Sequence, residues 1–262
     1  MTGTGIHARP TRPVAVQAHR GSPDLAAGIG ENTVEAFLRA GRLGADGVEL
    51  DVRLTADGAL AVHHDPVIGG LGPVGELRVR QLPDHVPLLS AALDACGDLL
   101  VNIEVKNLPT EPGHDPDETA ARKVAALVVE AGLSDRVVVS SFWPASLEAV
   151  AEVDATVPTA LLLAGWADAG WGLEQARELG CRALHPHGSL VTSDLVDGAH
   201  RVGLAVAAWT VNGAAAVAAM ADLGVDTVIT DDVGSAVAAL AVPPARAADP
   251  VDPVGTGGHQ GV

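Results

Sequence analysis

The chain has 262 residues, with 33 acidic side chains against 16 basic ones and a formal net charge of −17. A field of that sign repels nucleic acid, whose binding rests on basic contacts to phosphate, and disfavours anionic membrane surfaces. Hydrophobic residues make up 48% of the chain but aromatics only 2%, with no Tyr, so the core must be packed from Ala, Val and Leu, which suits helix–sheet layers.

The chain opens with 13 residues rich in Gly, Thr, Arg and Pro and closes, from Pro243, with a run dominated by Pro, Gly, Ala and Asp. Such segments bury too little apolar surface to offset ordering entropy, so both are expected to be disordered tails flanking one domain over 14–242. The N-terminal stretch lacks the apolar run of a secretory signal, and no stretch of about 18 apolar residues is present. Cys96 and Cys181 stand apart with no Cys-x-x-Cys spacing, as expected of buried thiols in a reducing, cytoplasmic setting.

Between the tails, short β-branched runs alternate with Ala/Leu-rich helical stretches. The first strand is expected over Val14–His19. Its helix follows in ENTVEAFLRAGRLG, where Val34, Phe37, Leu38 and Gly41 fall on one face, Asn32 reads as the N-cap and Glu35 as its capping-box partner. Further strands are expected over 47–54, 99–106, 136–142, 157–163, 182–187, 204–211 and 226–230. Eight strand–helix alternations, with no GxGxxG after the first strand, predict a TIM-type (β/α)8 barrel and not a doubly wound sheet.

One segment breaks the alternation. Asp57-Gly58 separates two alternating runs, a strong hairpin signal that predicts a β-hairpin extension after the second strand. Asp51 lies six residues before Asp57 and His64 six after Gly58, so a hairpin folded about that pair returns His64 beside Glu49 and Asp51 and turns His63 to the other face.

Strand periodicity puts Glu49 and Asp51 on one face and Val48, Leu50 and Val52 on the other; likewise Asn102, Glu104 and Lys106 oppose Val101, Ile103 and Val105. A purely structural barrel interior would hold Val, Ile and Leu. One inward carboxylate would be read as half of an ordinary buried ion pair. Three on neighbouring strands, with no Cys, point to a hard cation, Ca²⁺ or Mg²⁺. His19 ends the first strand and, with His64, supplies a candidate general acid and base. Arg20 and Lys106 are candidate holders of phosphate oxygens, the local positive charge that an anionic substrate needs on an acidic protein. The other eight histidines read as structural or solvated. No Gly-x-Ser-x-Gly elbow accompanies Ser140 and Ser141, which argues against a serine hydrolase.

The strings AHRG (18–21), ENT (31–33), VELDVRLTADG (48–58), HHDP (63–66), NIEVK (102–106), SSF (140–142), AWTVN (208–212) and VITDD (228–232) occur in this order. Together they resemble the glycerophosphodiester phosphodiesterases. The resemblance implies a TIM barrel that hydrolyses a small-molecule glycerophosphodiester to glycerol 3-phosphate and an alcohol. It implies a metal held by Glu49, Asp51 and Glu104, His19 and His64 as the acid–base pair, Arg20 and Lys106 near the phosphate, Trp209 lining the cleft and Glu31 at its rim. Two departures stand out: the link after HRG ends in Gly30 where relatives carry Pro, and the Gly/Pro-rich stretch after HHDP is too short for the helical insert of larger members. Related enzymes, a lysophospholipase D or a phosphoinositide-type phosphodiesterase, and a barrel that binds phosphodiesters without cleaving them, are the competing readings.

Overall fold

The computed structural model describes residues 14–241; the expectations for the two tails lie outside the described residues. In chain order the elements are β1 (Ala15–Ala18), α1 (Val34–Arg42), β2 (Gly47–Leu54), β3 (Leu60–Val62), β4 (Val67–Ile68), β5 (Gly72–Pro73), α2 (Leu89–Cys96) and β6 (Leu100–Val105). There follow α3 (Thr119–Glu130), β7 (Val137–Ser141), α4 (Pro144–Val153), β8 (Thr159–Leu163), α5 (Ala169–Glu178) and β9 (Ala183–Pro186). The last are α6 (Ser193–Arg201), β10 (Ala205–Ala208), α7 (Ala214–Asp222), β11 (Thr227–Thr230) and α8 (Val233–Ala241).

Eight of these strands pair in parallel in the order β1, β2, β6, β7, β8, β9, β10, β11, and β11 returns to β1, closing a TIM-type (β/α)8 barrel. The remaining long pairing is β2 with β3, the hairpin extension. A two-stranded ribbon, β4 with β5, follows it where larger relatives were expected to carry a helical insert.

Alternation along each strand decides which side chains face the helices. Val48, Leu50 and Val52 of β2 and Val101, Ile103 and Val105 of β6 join the apolar layer beneath the helices. Their neighbours Glu49, Asp51, Asn102 and Glu104 face inward and are all buried. α1 lays Ala36, Phe37 and Ala40 on the barrel, while Leu38, expected on that face, is 46% exposed.

Two sequence expectations are corrected here. The N-cap of α1 is Thr33, whose hydroxyl accepts from Ala36 N at 3.2 Å. Asn32 sits in the left-handed region (φ 56°) and its side chain is engaged elsewhere. The hairpin register also differs by one residue: Val52 faces Val62 and Arg53 faces Ala61, so Asp51 lies opposite His63, whose N–H donates to Asp51 O at 3.0 Å. The loop is one residue longer than expected, spanning 56–58, because Thr55 closes it, its N–H donating to Ala59 O and its hydroxyl accepting from Ala59 N, both at 2.9 Å.

Barrel closure sets a steric limit at Gly47, the first residue of β2. A Cβ there would lie 2.6 Å from Leu100 O and 2.9 Å from Leu100 Cβ on the neighbouring strand. Gly47→Ala is therefore expected to cost about 1–3 kcal/mol in urea unfolding, by overpacking. Gly69→Ala, which meets nothing within 4 Å, should stay within about 0.5 kcal/mol of the parent chain. Equal midpoints for the two variants would refute the close approach.

Candidate active site at the carboxyl ends of the strands

A cavity of about 240 Å³ opens at the carboxyl ends of the barrel strands. Its charged lining, His19, Arg20, Glu49, Glu104, Lys106 and His64, comes from β2, β6 and the residues that follow β1, β6 and β3. Its apolar lining, Phe142, Leu162, Trp209 and Ile229, comes from β7, β8, β10 and β11 or their ends. The cleft thus has a polar half and an apolar half, set by which strands contribute.

Ligand atoms of Glu49, Asp51 and Glu104 lie within 4.8 Å of one another. Register produces this: Asp51 pairs with Glu104 across β2 and β6, and Glu49 precedes Asp51 by one full strand repeat. Lys106 Nζ stands 2.8 Å from Glu104 Oε1 and 3.4 Å from Asp51 Oδ1, and Arg20 Nε lies 3.6 Å from Asp51 Oδ2. The Asn32 amide donates to Asp51 Oδ2 at 2.8 Å and its oxygen accepts from Asp51 N at 3.2 Å. Arg20 N donates to Glu49 Oε2 at 2.9 Å, whereas Glu49 Oε1 is buried with no hydrogen-bond partner among the described residues.

These surroundings divide the three carboxyls. Burial and the Asp51 charge push Glu49 up to about 8; burial, with Asp51 adding to it, pushes Glu104 up to about 7 despite Lys106. Burial would raise Asp51 too, but Lys106, His64, the Asn32 amide and Arg20 outweigh it and hold that carboxyl below its ordinary value. Three buried carboxylates with an orphaned oxygen form an all-oxygen donor set that fits a hard divalent cation.

Each histidine of the cavity is tied at Nδ1 to a carboxylate outside this cluster. His19 Nδ1 lies 2.7 Å from Asp231 Oδ1, and His19 Nε2 lies 4.0 Å from Glu49 Oε2. His64 Nδ1 lies 2.7 Å from Asp65 Oδ1. Burial disfavours the charged form of both rings. At His19 the Asp231 hydrogen bond and the Glu49 charge outweigh it, and the pKa rises above 6.5. At His64 burial, with Lys106 and Arg20 adding to it, prevails over Asp51 and Asp65, and the pKa falls below 6.5. The two rings are thus pushed in opposite directions.

The turn that delivers Arg20 explains the glycine after it. Gly21 has φ 78°, and a Cβ there would meet Ala36 of α1 at 2.9 Å, so the chain turns tightly beneath α1. Arg20 Nη1 donates to Glu31 at 3.0 and 3.1 Å, which places Glu31 beside the cavity's guanidinium. Trp209 donates Nε1–H to His185 O at 2.9 Å and meets Phe142 edge-to-face with centroids 5.5 Å apart.

The structure therefore brings Glu49, Asp51, Glu104, His19, His64, Arg20, Lys106 and Trp209 to one cavity or directly against it. Sequence reasoning gave no role at the site to Asp231, Asp65 and Phe142, and gave Asn32 only that of a helix cap. Each lies inside a quoted string: VITDD, HHDP, ENT and SSF. The available signal was an acid beside or across from a histidine at a strand end. Among the described residues no helix is long and apolar enough to cross a membrane.

Comparison with known proteins agrees with this geometry. A family model described as the glycerophosphoryl diester phosphodiesterase family matches residues 19–235. A glycerophosphodiester phosphodiesterase of Caldanaerobacter subterraneus subsp. tengcongensis is 32% identical over 238 residues, 83% of this chain and 93% of the relative. One of Bacillus altitudinis is 30% identical over 242 residues, 82% of this chain and 93% of the relative. The crystal structure of a glycerophosphodiester phosphodiesterase from Parabacteroides distasonis superposes with a TM-score of 0.72 at 27% identity, covering 84% of this chain and 93% of that one. This chain is an enzyme of the glycerophosphoryl diester phosphodiesterase family.

Proposed function

We propose that the enzyme cleaves small glycerophosphodiesters to glycerol 3-phosphate and an alcohol, by two-histidine acid–base catalysis through a cyclic phosphodiester. The observation that carries this reading is the convergence of two oppositely perturbed histidines on a buried carboxylate cluster flanked by Arg20 and Lys106. Buried thiols at Cys96 and Cys181 accord with the cytoplasmic setting expected from the sequence.

Lys106 and Arg20, both lining the cavity, hold the non-bridging phosphate oxygens. A divalent cation, Ca²⁺ or Mg²⁺, would be held by Glu49, Asp51 and Glu104 and would supply Lewis-acid stabilisation of developing negative charge. His64, the ring biased to the neutral form, takes the proton of the glycerol hydroxyl adjacent to the phosphoester as that oxygen bonds to phosphorus. His19, biased to the charged form, gives its proton to the departing alcohol oxygen. The roles then reverse: His19 takes a proton from water as it attacks phosphorus, and His64 returns its proton to the opening ring oxygen. The apolar half of the cleft, Phe142 and Trp209, faces the alcohol and excludes water from it.

Metal binding and protonation are linked. Because Glu49 and Glu104 hold protons up to about 8 and about 7, a cation must displace them. Calorimetry in two buffers of different ionisation enthalpy should show proton release, and affinity should rise from pH 6 to 8 and then level. Chelator should abolish activity and Ca²⁺ or Mg²⁺ restore it. pH-independent binding, or full activity in metal-free protein, would remove the metal from the reading.

His19→Ala and His64→Ala should each lower kcat by about 10²-fold or more with little loss of fold, and His63→Ala much less. The pH profile of kcat should be bell-shaped. Its acid limb reflects loss of neutral His64, below 6.5, and its alkaline limb loss of charged His19, above 6.5. A flat profile or an inactive His63→Ala beside an active His64→Ala would reverse these assignments.

Attack by a hydroxyl already within the substrate gains from proximity, which can be worth about 7–11 kcal/mol. An analogue lacking only that hydroxyl should lose several orders of magnitude in rate, read as alcohol release. Brisk turnover of the deoxy analogue would make water the direct nucleophile.

A further inference from the structure

β3 ends at Val62, and His63 makes the last ladder contact, its N–H donating to Asp51 O at 3.0 Å. Alternation along β3 has a fixed sense. Val62 sits opposite Val52, and both belong to the apolar layer on the outer face. Were the ladder to continue, His63 would share the inner face with Asp51, and His64 would turn away with Val62. The opposite is found: His64 lines the cavity and His63 does not. The chain must therefore rotate out of strand geometry between Val62 and His64, and something must hold it there.

Arg53 is placed to do so. It follows Asp51 by two residues on β2, is only 6% exposed, and sits opposite Ala61 in the hairpin. Its Nε and Nη2 donate to the same acceptor, His64 O, at 2.9 and 2.6 Å, and its Nη1 donates to Glu111 Oε2 at 2.8 Å. Both forks of the guanidinium are thus engaged, one on the main chain of His64 and one on the segment after β6, the strand that brings Glu104 and Lys106. Arg53 itself is not among the residues lining the cavity.

We propose that Arg53 is the positioning residue for His64: its guanidinium grips the His64 carbonyl where the hairpin leaves its ladder, turns that ring to the carboxylate cluster and braces it against Glu111. The inference rests on the acid–base role proposed for His64. The chemistry selects arginine, because a planar, always-charged fork makes the paired bond to one carbonyl and a third bond to a carboxylate at once. A lysine would keep the charge but not the geometry.

Arg53→Lys and Glu111→Gln test this in the full metal-loaded chain. Arg53→Lys should keep its fold by circular dichroism, lower kcat by about 10²-fold and leave KM within about threefold, since a misplacement of about 1 Å can cost that much. Glu111→Gln, which keeps a neutral acceptor, should lose less. The His64 C2–H resonance should move in Arg53→Lys while that of His19 stays. Combined with His64→Ala, Arg53→Lys should add no further loss, because both changes act on one proton transfer. An unmoved His64 resonance, a kcat equal to that of the parent, or losses that multiply with His64→Ala would overturn the proposal. Activity retained by His64→Ala alone would instead overturn the acid–base reading, while the resonance shift would still report on the grip of Arg53.

Discussion

Three carboxyl groups with ligand atoms within 4.8 Å, on residues at most 8% exposed, are the arrangement around which the mouth of this barrel is organised. Uncompensated, such a cluster costs several kcal/mol per buried charge. The compensation is distributed over several elements. Lys106 comes from the end of β6, Arg20 from the turn after β1, the Asn32 amide from the approach to α1, and the Arg20 N–H from the main chain. Two of the groups that compensate the cluster, Arg20 and Lys106, also line the cavity, so an acidic protein keeps two cationic side chains at this mouth. What protein groups leave unmatched, above all Glu49 Oε1, marks where a cation fits.

The carboxylates outside the cluster do different work. Asp231 and Asp65 are about half and two-thirds exposed at their side chains, and each holds the Nδ1 of one histidine. Water screens part of their charge, so neither simply forces its ring to protonate. The balance is then set by what else each ring faces. His19 faces Glu49, and His64 shares its surroundings with Lys106 and Arg20. One kind of dyad, placed on two sides of a polar cavity, gives one ring biased to the charged form and one to the neutral form.

The barrel beneath the mouth is built for this site more than for packing. Gln17, Asn102, Ser140 and His185 are buried inward-facing polar residues, accompanied by Ala160 and Ala207 where many barrels stack Val, Ile and Leu. The aliphatic core lies instead between strands and helices, where the Ala- and Val-rich composition fills it with little aromatic help. The outer face of each strand supplies stability, and the inner face is left to the chemistry.

Period and order were readable in the sequence. Short apolar and β-branched runs marked all eight barrel strands, and alternation gave the inner and outer faces of β2 and β6 with the carboxylates they carry, because side-chain direction in a strand is local. The family resemblance rests on strings that occur in barrel order, so it too was legible. What depends on contacts between distant segments was not. Asn32 looks like an N-cap by its neighbours, but its amide goes to Asp51, 19 residues on, and Thr33 takes the cap. Asp231 meets His19 only because β11 closes the barrel against β1, 212 residues apart in sequence. The hairpin shows the limit most clearly. Counting about Asp57–Gly58 named His64, although the register was off by one and the true ladder faces Asp51 with His63. Only the tertiary structure shows His64 at the cavity, where the chain has left the ladder and the Arg53 guanidinium bonds the His64 carbonyl, because a bond between a side chain and a carbonyl beyond the end of the next strand leaves no periodic trace in sequence.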